Sequence, residues 1–503
     1  VWPRHTGDFS VFRVYSSPDG KPAEYSKDNV PLKPKHFLPV SLKERKLDDF
    51  TMIIGYPGRT NRYMTSWEIK ELMTITNANR IEIRGQKQEI IQRDMHADEK
   101  VNIQYASKFA TSSNYWKYSI GQNLGLNRLG VLPRKQQEEQ EFTNWVNADE
   151  SRKAQYGEAL DLIREAVEKQ TPYTHVIQYV NECFLSGSEI IGFAYRSYGL
   201  YNALKNDPLN RELADSLAAM LKARWEDFYK EYNVATDMKV VPEMLRLYRD
   251  QVPAEYHPDF YTLIKTKYKG DVAAYTRDLF SKTIFADPKK FESFIRKPSL
   301  KILENDPALK AAISVIDVYR NVYYSEAAYD VVYDRGHRLY IAGLQEMHPN
   351  QIFYPDANST MRLTYGKVRD YIARDAVHYD YYTTLKGIME KEDPDNWEFV
   401  VPGKLKELYQ KQDYGPYGVD GTMPVCFITD NDITGGNSGS PVIDGEGNLI
   451  GLAFDGNWEA MSGDIVFEPE LQRCICVDIR YVLFIMDKFA GAAHLVNEMK
   501  IIR

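Results

Sequence analysis

Hydrophobic and polar positions change their spacing twice along the chain. The first sixty residues carry short apolar runs separated by turn residues, which predicts strands over residues 10–15 and 52–58. Further along, apolar side chains recur every three or four positions, as in amphipathic helices, before the spacing of strands returns. We therefore predict an α+β protein in which a β domain, residues 1–63 and 351–503, is interrupted by a helical domain at 64–350.

The helical pattern is clearest over residues 210–232. Its apolar stripe consists of Leu213, Leu217, Met220, Leu221, Trp225 and Phe228. Asp207 stands directly before a proline and is expected to cap this helix. Asp287 and Asp306 also precede prolines, so each is expected to close one helix and open the next.

The last part of the chain has the clearest strand signals. Residues 423–429 form a strand candidate, and residues 441–454 read as a hairpin around a Gly-Glu-Gly turn. The apolar run 477–486 is expected to close this β region and lead into a last helix that ends near residue 499.

Composition excludes several classes of protein. The 503 residues include 43% hydrophobic ones, enough for a substantial core, and the net charge of −8 argues against nucleic-acid binding. No apolar run reaches the ~18 residues that a membrane helix needs. The four cysteines lack the spacing of zinc ligands and are expected to be buried thiols, so we expect no metal and no cofactor; they are Cys183, Cys426, Cys474 and Cys476.

The stretch Thr434-Gly-Gly-Asn-Ser-Gly-Ser-Pro441 carries the strongest chemical signal. Glycines around Ser438 let the backbone approach a substrate closely, and the amides of Gly436 and Ser438 can serve as an oxyanion hole, so Ser438 is the candidate nucleophile. The elbow motif of α/β-hydrolases fails because position 440 is serine. The alternative is a glycine-rich hairpin with a solvated serine.

Two other polar positions are candidates. Asp8 follows a loop glycine and can orient a catalytic histidine, although an Asx turn that closes a loop is the commoner role of such a residue. Asn114 lies in a polar and aromatic cluster of the helical domain and can point into a cleft, or it can be a surface residue beside a packed aromatic core.

Three segments together resemble one family: residues 2–10, residues 54–63 and the Ser438 octapeptide. They look like the bacterial dipeptidyl peptidases of serine peptidase family forty-six. The resemblance implies a chymotrypsin-like double β-barrel with a large inserted helical domain. It also implies that Ser438 is the nucleophile and Asp8 the triad carboxylate. Oligopeptides would then be the substrates.

The same resemblance implies how the substrate is held. Asn114 and Asp455 match residues that grip the substrate N-terminus, together with an Asn-Trp pair ahead of Val1. Without the family, Asp455 also reads as a turn residue at a strand end. Gly456 matches a P1-pocket position at which acidic-specific members carry arginine, so a hydrophobic P1 preference is expected. An Asp/Glu-specific enzyme with its arginine replaced is the alternative.

The family pattern places the triad histidine upstream of Trp2. His5 has no catalytic role in that pattern. The chain opens without Met or a signal peptide, so we expect a processed or truncated polypeptide that needs its N-terminal segment as a partner. Without it the chain would be a catalytically incomplete peptide-binding fragment. The resemblance further implies export to the periplasm or cell surface and a homodimer.

Overall fold

The computed structural model describes residues 2–503, and the chain divides into two compact units. One unit consists of the residues up to Tyr63 together with Phe353–Arg503, and the other is Met64–Ile352. The first contains the long β-sheet, whereas the second is helical. The expected mixture of helices and antiparallel strands is therefore confirmed.

The helical unit contains sixteen α-helices within the described residues. They are α1 (Ser66–Glu71), α2 (Asn77–Ala97), α3 (Glu99–Arg128), α4 (Val131–Asn147), α5 (Glu150–Tyr156), α6 (Ala159–Val180), α7 (Glu189–Tyr195), α8 (Tyr198–Asn206), α9 (Arg211–Glu231), α10 (Val234–Gln251), α11 (Phe260–Lys267), α12 (Val272–Lys282), α13 (Pro288–Arg296), α14 (Leu300–Asn305), α15 (Pro307–Ala327) and α16 (Asp330–Met347). Short π-helical turns are Leu72–Thr76 and Asn181–Leu185, and a 3₁₀ turn is Ala254–Tyr256.

Capping side chains set where several of these helices begin. Asp287 and Asp306 cap α13 and α15 with proline at the first helical position, as predicted. The predicted cap at Asp207 is wrong. Asn210 caps α9 instead, its side chain accepting the amide N–H of Leu213 at 3.1 Å, because a turn separates Asp207 from the helix.

The β unit has thirteen strands and four further helices in the part of the chain that the structure describes. The strands are β1 (Tyr15–Ser16), β2 (Val30–Pro31), β3 (Val40–Ser41), β4 (Phe50–Gly55), β5 (Arg362–Lys367), β6 (Tyr371–Arg374), β7 (Val377–Tyr379), β8 (Tyr382–Thr384), β9 (Pro424–Thr429), β10 (Pro441–Ile443), β11 (Leu449–Gly456), β12 (Cys474–Asp478) and β13 (Ile501–Ile502). The helices are α17 (Leu385–Glu390), α18 (Gly403–Lys411), α19 (Ile479–Phe484) and α20 (Ala493–Val496).

Nine of these strands form one sheet whose main path runs β5, β4, β10, β11, β12, β9, β8. A bridge between Val368 and Thr429 links the residue after β5 back to β9, so the sheet curls toward itself. The expected double β-barrel is not found, since no continuous ladder closes this sheet within residues 2–503. The register places β11 opposite both β10 and β12, with Ala453 facing Cys476.

Two predicted strands differ from the structure. Over residues 10–15 only Tyr15 pairs, in the two-residue strand β1, and Phe12 remains 88% exposed. The run 477–486 leaves the sheet at Asp478, whose carboxylate caps α19 by accepting the amide N–H of Arg480 at 2.8 Å. Its apolar residues are buried as a helix rather than as a strand.

The four cysteines are buried and unbridged, as expected. Cys474 and Cys476 lie on one face of β12 with their sulfurs 3.6 Å apart. Among the helices described here, none combines the length and apolar character needed to cross a bilayer.

Candidate active site

Ser438 lies in the loop between β9 and β10 and is exposed to solvent. Its Oγ donates a hydrogen bond to the carbonyl of Phe454 on β11 at 3.3 Å. Gly436 adopts φ +107° and Gly439 φ +85°, in the left-handed region that favours glycine. A Cβ on Gly436 would lie 2.4 Å from the carbonyl oxygen of Tyr56, so no other residue fits there without moving the backbone.

Hydrogen bonds fix the loop backbone before Gly436 and after Ser438, two residues whose N–H groups are unpaired. The carbonyl of Gly435 accepts the N–H of Gly58 at 2.6 Å, and the N–H of Gly439 donates to Ala453 at 2.7 Å. Over residues 2–503, the N–H groups of Gly436 and Ser438 donate to no protein acceptor. The loop therefore presents two fixed, unpaired donors beside an exposed hydroxyl, as an oxyanion hole requires.

Asn437 and Gly55 pack beneath the exposed surface of the loop and hold its backbone in place. Neither role was predicted from the sequence. The Asn437 side chain is buried, and its Oδ1 accepts the N–H of Thr434 at 3.1 Å. A Cβ on Gly55 in β4 would lie 2.7 Å from Asn437 Nδ2 and 2.2 Å from the hydroxyl of Ser440. The available signal was Gly55 itself, a glycine inside a strand, which often marks close approach of another backbone.

Asp8 follows a segment that is anchored in the same unit as Ser438. Thr383 in β8 donates its hydroxyl to the carbonyl of Arg4 at 2.6 Å, and the thiol of Cys426 in β9 lies 3.4 Å from the carbonyl of Thr6. The Asp8 side chain is exposed and, in the described chain, forms no hydrogen bond or ion pair. The carboxylate is thus accessible to a partner.

Among the described residues, His5 forms no hydrogen bond with Ser438 or Asp8. Its ring packs against Gly387 of α17, where a Cβ would lie 2.1 Å from Nε2. Burial, and after it the positive charge of Lys391, lower the pKa of His5 to about 4, against an opposing effect of the Glu390 carboxylate. No histidine of the described residues hydrogen-bonds Ser438. His5 is therefore a packed, neutral ring at pH 7, and residues 2–503 place no histidine within hydrogen-bond distance of Ser438.

Asp455 lies one residue beyond the carbonyl that accepts the Ser438 hydroxyl. Its Oδ1 accepts the N–H of Gly456 at 2.8 Å, and its Oδ2 forms an ion pair with Arg4 Nη1 at 3.1 Å. The Arg4 guanidinium also lies over the Phe454 ring, 5.2 Å from its centroid. These contacts fix the carboxylate while its side chain stays 35% exposed.

Asn114 lies on α3 of the helical unit, and its side chain is exposed. The preceding turn is fixed to α2, because Gln88 donates to the hydroxyl of Ser112 at 3.1 Å and Arg84 to its carbonyl at 3.3 Å. Trp116 donates its indole N–H into α2 as well, at 3.0 Å. A rigid pair of helices thus presents Asn114 to solvent.

Gly456 ends β11 opposite Cys474. A Cβ on Gly456 would lie 3.1 Å from the Cβ of Ala460, in the 3₁₀ turn Trp458–Ser462. The next residue, Asn457, is buried and accepts the N–H of Arg473 at 2.9 Å, which fixes the start of this turn. Gly456 therefore faces a small, uncharged neighbour.

Sequence reasoning also missed an ion pair in the same unit. Arg62 donates two parallel hydrogen bonds to the carboxylate of Asp432, one of them from Nη2 to Oδ1 at 2.7 Å. No local pattern pointed to this pair. The two residues stand 370 positions apart in the sequence.

No group of three or more histidine, cysteine or acidic side chains that could hold a metal ion is found among the described residues.

A protein-family model described as Peptidase S46 matches residues 1–501. The chain is 47% identical to a protein of Phocaeicola vulgatus named dipeptidyl-peptidase 7, covering 100% of this chain and 69% of that protein. It is 42% identical to a Porphyromonas gingivalis protein named Asp/Glu-specific dipeptidyl-peptidase, covering 100% and 70%. The crystal structure of Porphyromonas endodontalis DPP11 with the dipeptide Arg-Glu matches with a TM-score of 0.90 and 39% identity, covering 99% of this chain and 71% of that chain.

Proposed function

Since the chain belongs to the peptidase S46 family, we propose that it is a serine hydrolase that releases dipeptides from the N-terminus of oligopeptides. The observation that carries this proposal is the position of Asp455 relative to Ser438. The Ser438 hydroxyl lies 3.3 Å from the carbonyl of Phe454, and Asp455 is the next residue along β11. A carboxylate there can hold a substrate ammonium within reach of only about two extended residues, roughly 7 Å.

Each group has a role in acyl transfer. Ser438 attacks the second peptide bond of the substrate, and the unpaired N–H groups of Gly436 and Ser438 stabilise the negative oxygen of the tetrahedral intermediate. Asp8 orients the histidine that takes the proton from Ser438. We assign that histidine to a segment upstream of Trp2, following the family pattern, because the described residues offer no imidazole to Ser438.

The substrate ammonium is held by Asp455, whose carboxylate is its natural partner. Arg4 competes for the same carboxylate through its ion pair, so substrate binding replaces or shares that contact. The role of Asn114 in binding the amine stays a prediction from the family pattern.

The proposed P1 preference is hydrophobic. Gly456 brings no charge to the pocket, and its closest neighbour there is the methyl group of Ala460. Asp/Glu specificity is the alternative, because some relatives carry that name. Turnover of dipeptide reporters ending in Phe, Met and Asp decides between the two. Faster release from the Asp-ending reporter would reverse the assignment.

A second candidate function is peptide binding without catalysis, favoured by the absence of a histidine at Ser438 in residues 2–503. Labelling of Ser438 by a fluorophosphonate separates the two functions, because only an activated serine reacts at a useful rate. The residue 1–503 polypeptide is compared with the full-length natural protein that carries this sequence. Absence of labelling in both would support the binding protein.

Export to the periplasm or cell surface and assembly as a homodimer remain proposals from the family resemblance. Fractionation of the native cells and light scattering of the purified protein test them.

A further inference from the structure

Asp432 stands six residues before Ser438 in the sequence. In trypsin-like peptidases the carboxylate that binds a basic P1 side chain stands at that same distance before the nucleophile. The loop that carries Asp432 leaves β9 and continues into the Ser438 turn. A carboxylate in this position would ordinarily make the P1 pocket select Lys or Arg.

Here that carboxylate is neutralised by a second element of the same unit. Besides its two hydrogen bonds to Asp432, Arg62 donates to the carbonyl of Gly463 from Nη2 at 3.0 Å and from Nε at 3.2 Å. Its guanidinium also lies 5.7 Å from the centroid of the Phe467 ring. The side chains of Arg62 and Asp432 are 15% and 27% exposed, so solvent screens this bidentate pair less than a surface pair.

One short segment joins this ion pair to the wall formed by Gly456. Ala460, which faces Gly456, accepts the N–H of Gly463 at 2.9 Å, and the carbonyl of Gly463 accepts Arg62. The same segment approaches the nucleophile loop, since the hydroxyl of Thr434 donates to the carboxylate of Asp464. The segment 460–463 thus contacts both Gly456 and the ion pair.

We propose that Arg62 and Asp432 form a charge-neutral base for the P1 pocket, and that Arg62 is a specificity-determining residue in addition to Gly456. The inference rests on the proposed dipeptidyl peptidase function. The inference predicts opposite changes in P1 preference for loss of either charge. Loss of Arg62 leaves an anion that selects Lys or Arg at P1, and loss of the Asp432 charge leaves a cation that selects Asp or Glu.

The test compares single and double variants of the full-length natural protein with reporters ending in Phe, Lys and Asp. For Arg62→Met we expect the kcat/KM ratio of Lys to Phe reporter to rise about 10- to 100-fold. For Asp432→Asn we expect a rise of similar size in the ratio of Asp to Phe reporter. The double variant should return to the wild-type preference, and Arg62→Lys should largely keep it because the charge is retained.

Equal loss of turnover on all three reporters in both single variants would overturn the inference and leave a purely structural ion pair. Thermal melting identifies a variant that does not fold, in which case the other single variant decides. A wild type that labels at Ser438 but releases no dipeptide would sink the proposed activity alone. In that case the ion pair is tested by binding. The single variants should differ from wild type in how strongly Lys-ending and Asp-ending peptides protect Ser438 from the label, in the same directions as expected for the reporters.

Discussion

Two glycine-rich turns of the β unit differ in how their backbone amides are used. In the turn 444–448, Asp444 accepts the N–H groups of Glu446 and Asn448, each at 2.9 Å, and the N–H of Gly447 donates to the Asp444 carbonyl at 3.1 Å. In the loop 434–441 the N–H groups of Gly436 and Ser438 find no acceptor in the described chain.

Glycine content alone therefore does not distinguish the two turns, whereas the proposed oxyanion donors, two unpaired N–H groups beside an exposed hydroxyl, belong to the loop 434–441. Both turns hold a glycine at positive φ, Gly447 at +84° and Gly436 at +107°. Only the second would be crowded by another segment, because the Cβ position of Gly436 lies 2.4 Å from Tyr56. The close approach of Tyr56 holds the Gly436 backbone in place, and the proposed oxyanion hole depends on such a fixed donor.

Among substitutions in the loop 434–441, Ser438→Ala should reduce activity the most. In the proposed mechanism the hydroxyl forms the acyl intermediate, so kcat in the full-length protein is expected to fall by about 10⁴- to 10⁶-fold. Steady-state release of a dipeptide reporter measures this loss. An unchanged melting temperature is the control, since within residues 2–503 the exposed side chain forms one hydrogen bond, to the carbonyl of Phe454. Residual activity near the wild-type level would remove Ser438 from the mechanism.

Gly436→Ala is designed to displace the unpaired N–H of residue 436 while Ser438 is kept. The new methyl would displace Tyr56 or rotate the 436 peptide, so the oxyanion donor would move. We expect kcat to fall about 10²- to 10³-fold, as for loss of one oxyanion donor. Single-turnover kinetics with an ester reporter isolates the acylation step. An unaffected acylation rate would show that this amide does not contact the intermediate.

Asp455→Asn changes a residue of β11 beside the loop 434–441 and leaves the loop itself unaltered. Asparagine keeps an acceptor for the N–H of Gly456 but loses the charge that is proposed to pair with the substrate ammonium. We expect KM for peptides with a free N-terminus to rise about 10- to 100-fold. The fluorophosphonate labelling rate is the control and should stay unchanged. A KM that does not move would assign the ammonium to other acceptors.

The strands around Ser438 could be predicted from the sequence, because strand and turn signals depend on residues that are close together in the chain. The strand before Ser438 and the hairpin after it were expected at 423–429 and 441–454, close to β9, β10 and β11 in the structure. Turn chemistry and strand composition suffice there. The candidate roles of Ser438, Gly436 and Asp455 likewise came from motif and resemblance, and they stay predictions.

The remaining features depend on contacts that no local pattern encodes. Residues 10–15 have strand composition, yet a strand needs a partner, and only Tyr15 pairs with a neighbour. Arg62 meets Asp432 across 370 positions, and each alone reads as an ordinary surface charge. The double β-barrel, which the family resemblance implied, is not confirmed, since no ladder closes the sheet within residues 2–503.

Gly447→Ala completes the comparison as the matched control for Gly436→Ala, and it should have the smallest effect. An alanine at φ +84° costs about 1–2 kcal/mol of stability. No atom lies within 4 Å of the new methyl, so no neighbouring segment is displaced. We expect the melting temperature to fall by roughly 2–4 °C and kcat/KM to stay within about twofold of wild type. Loss of activity comparable to that of Gly436→Ala would mean that strain anywhere in the β unit impairs the enzyme, and the unpaired amides would then carry no special role.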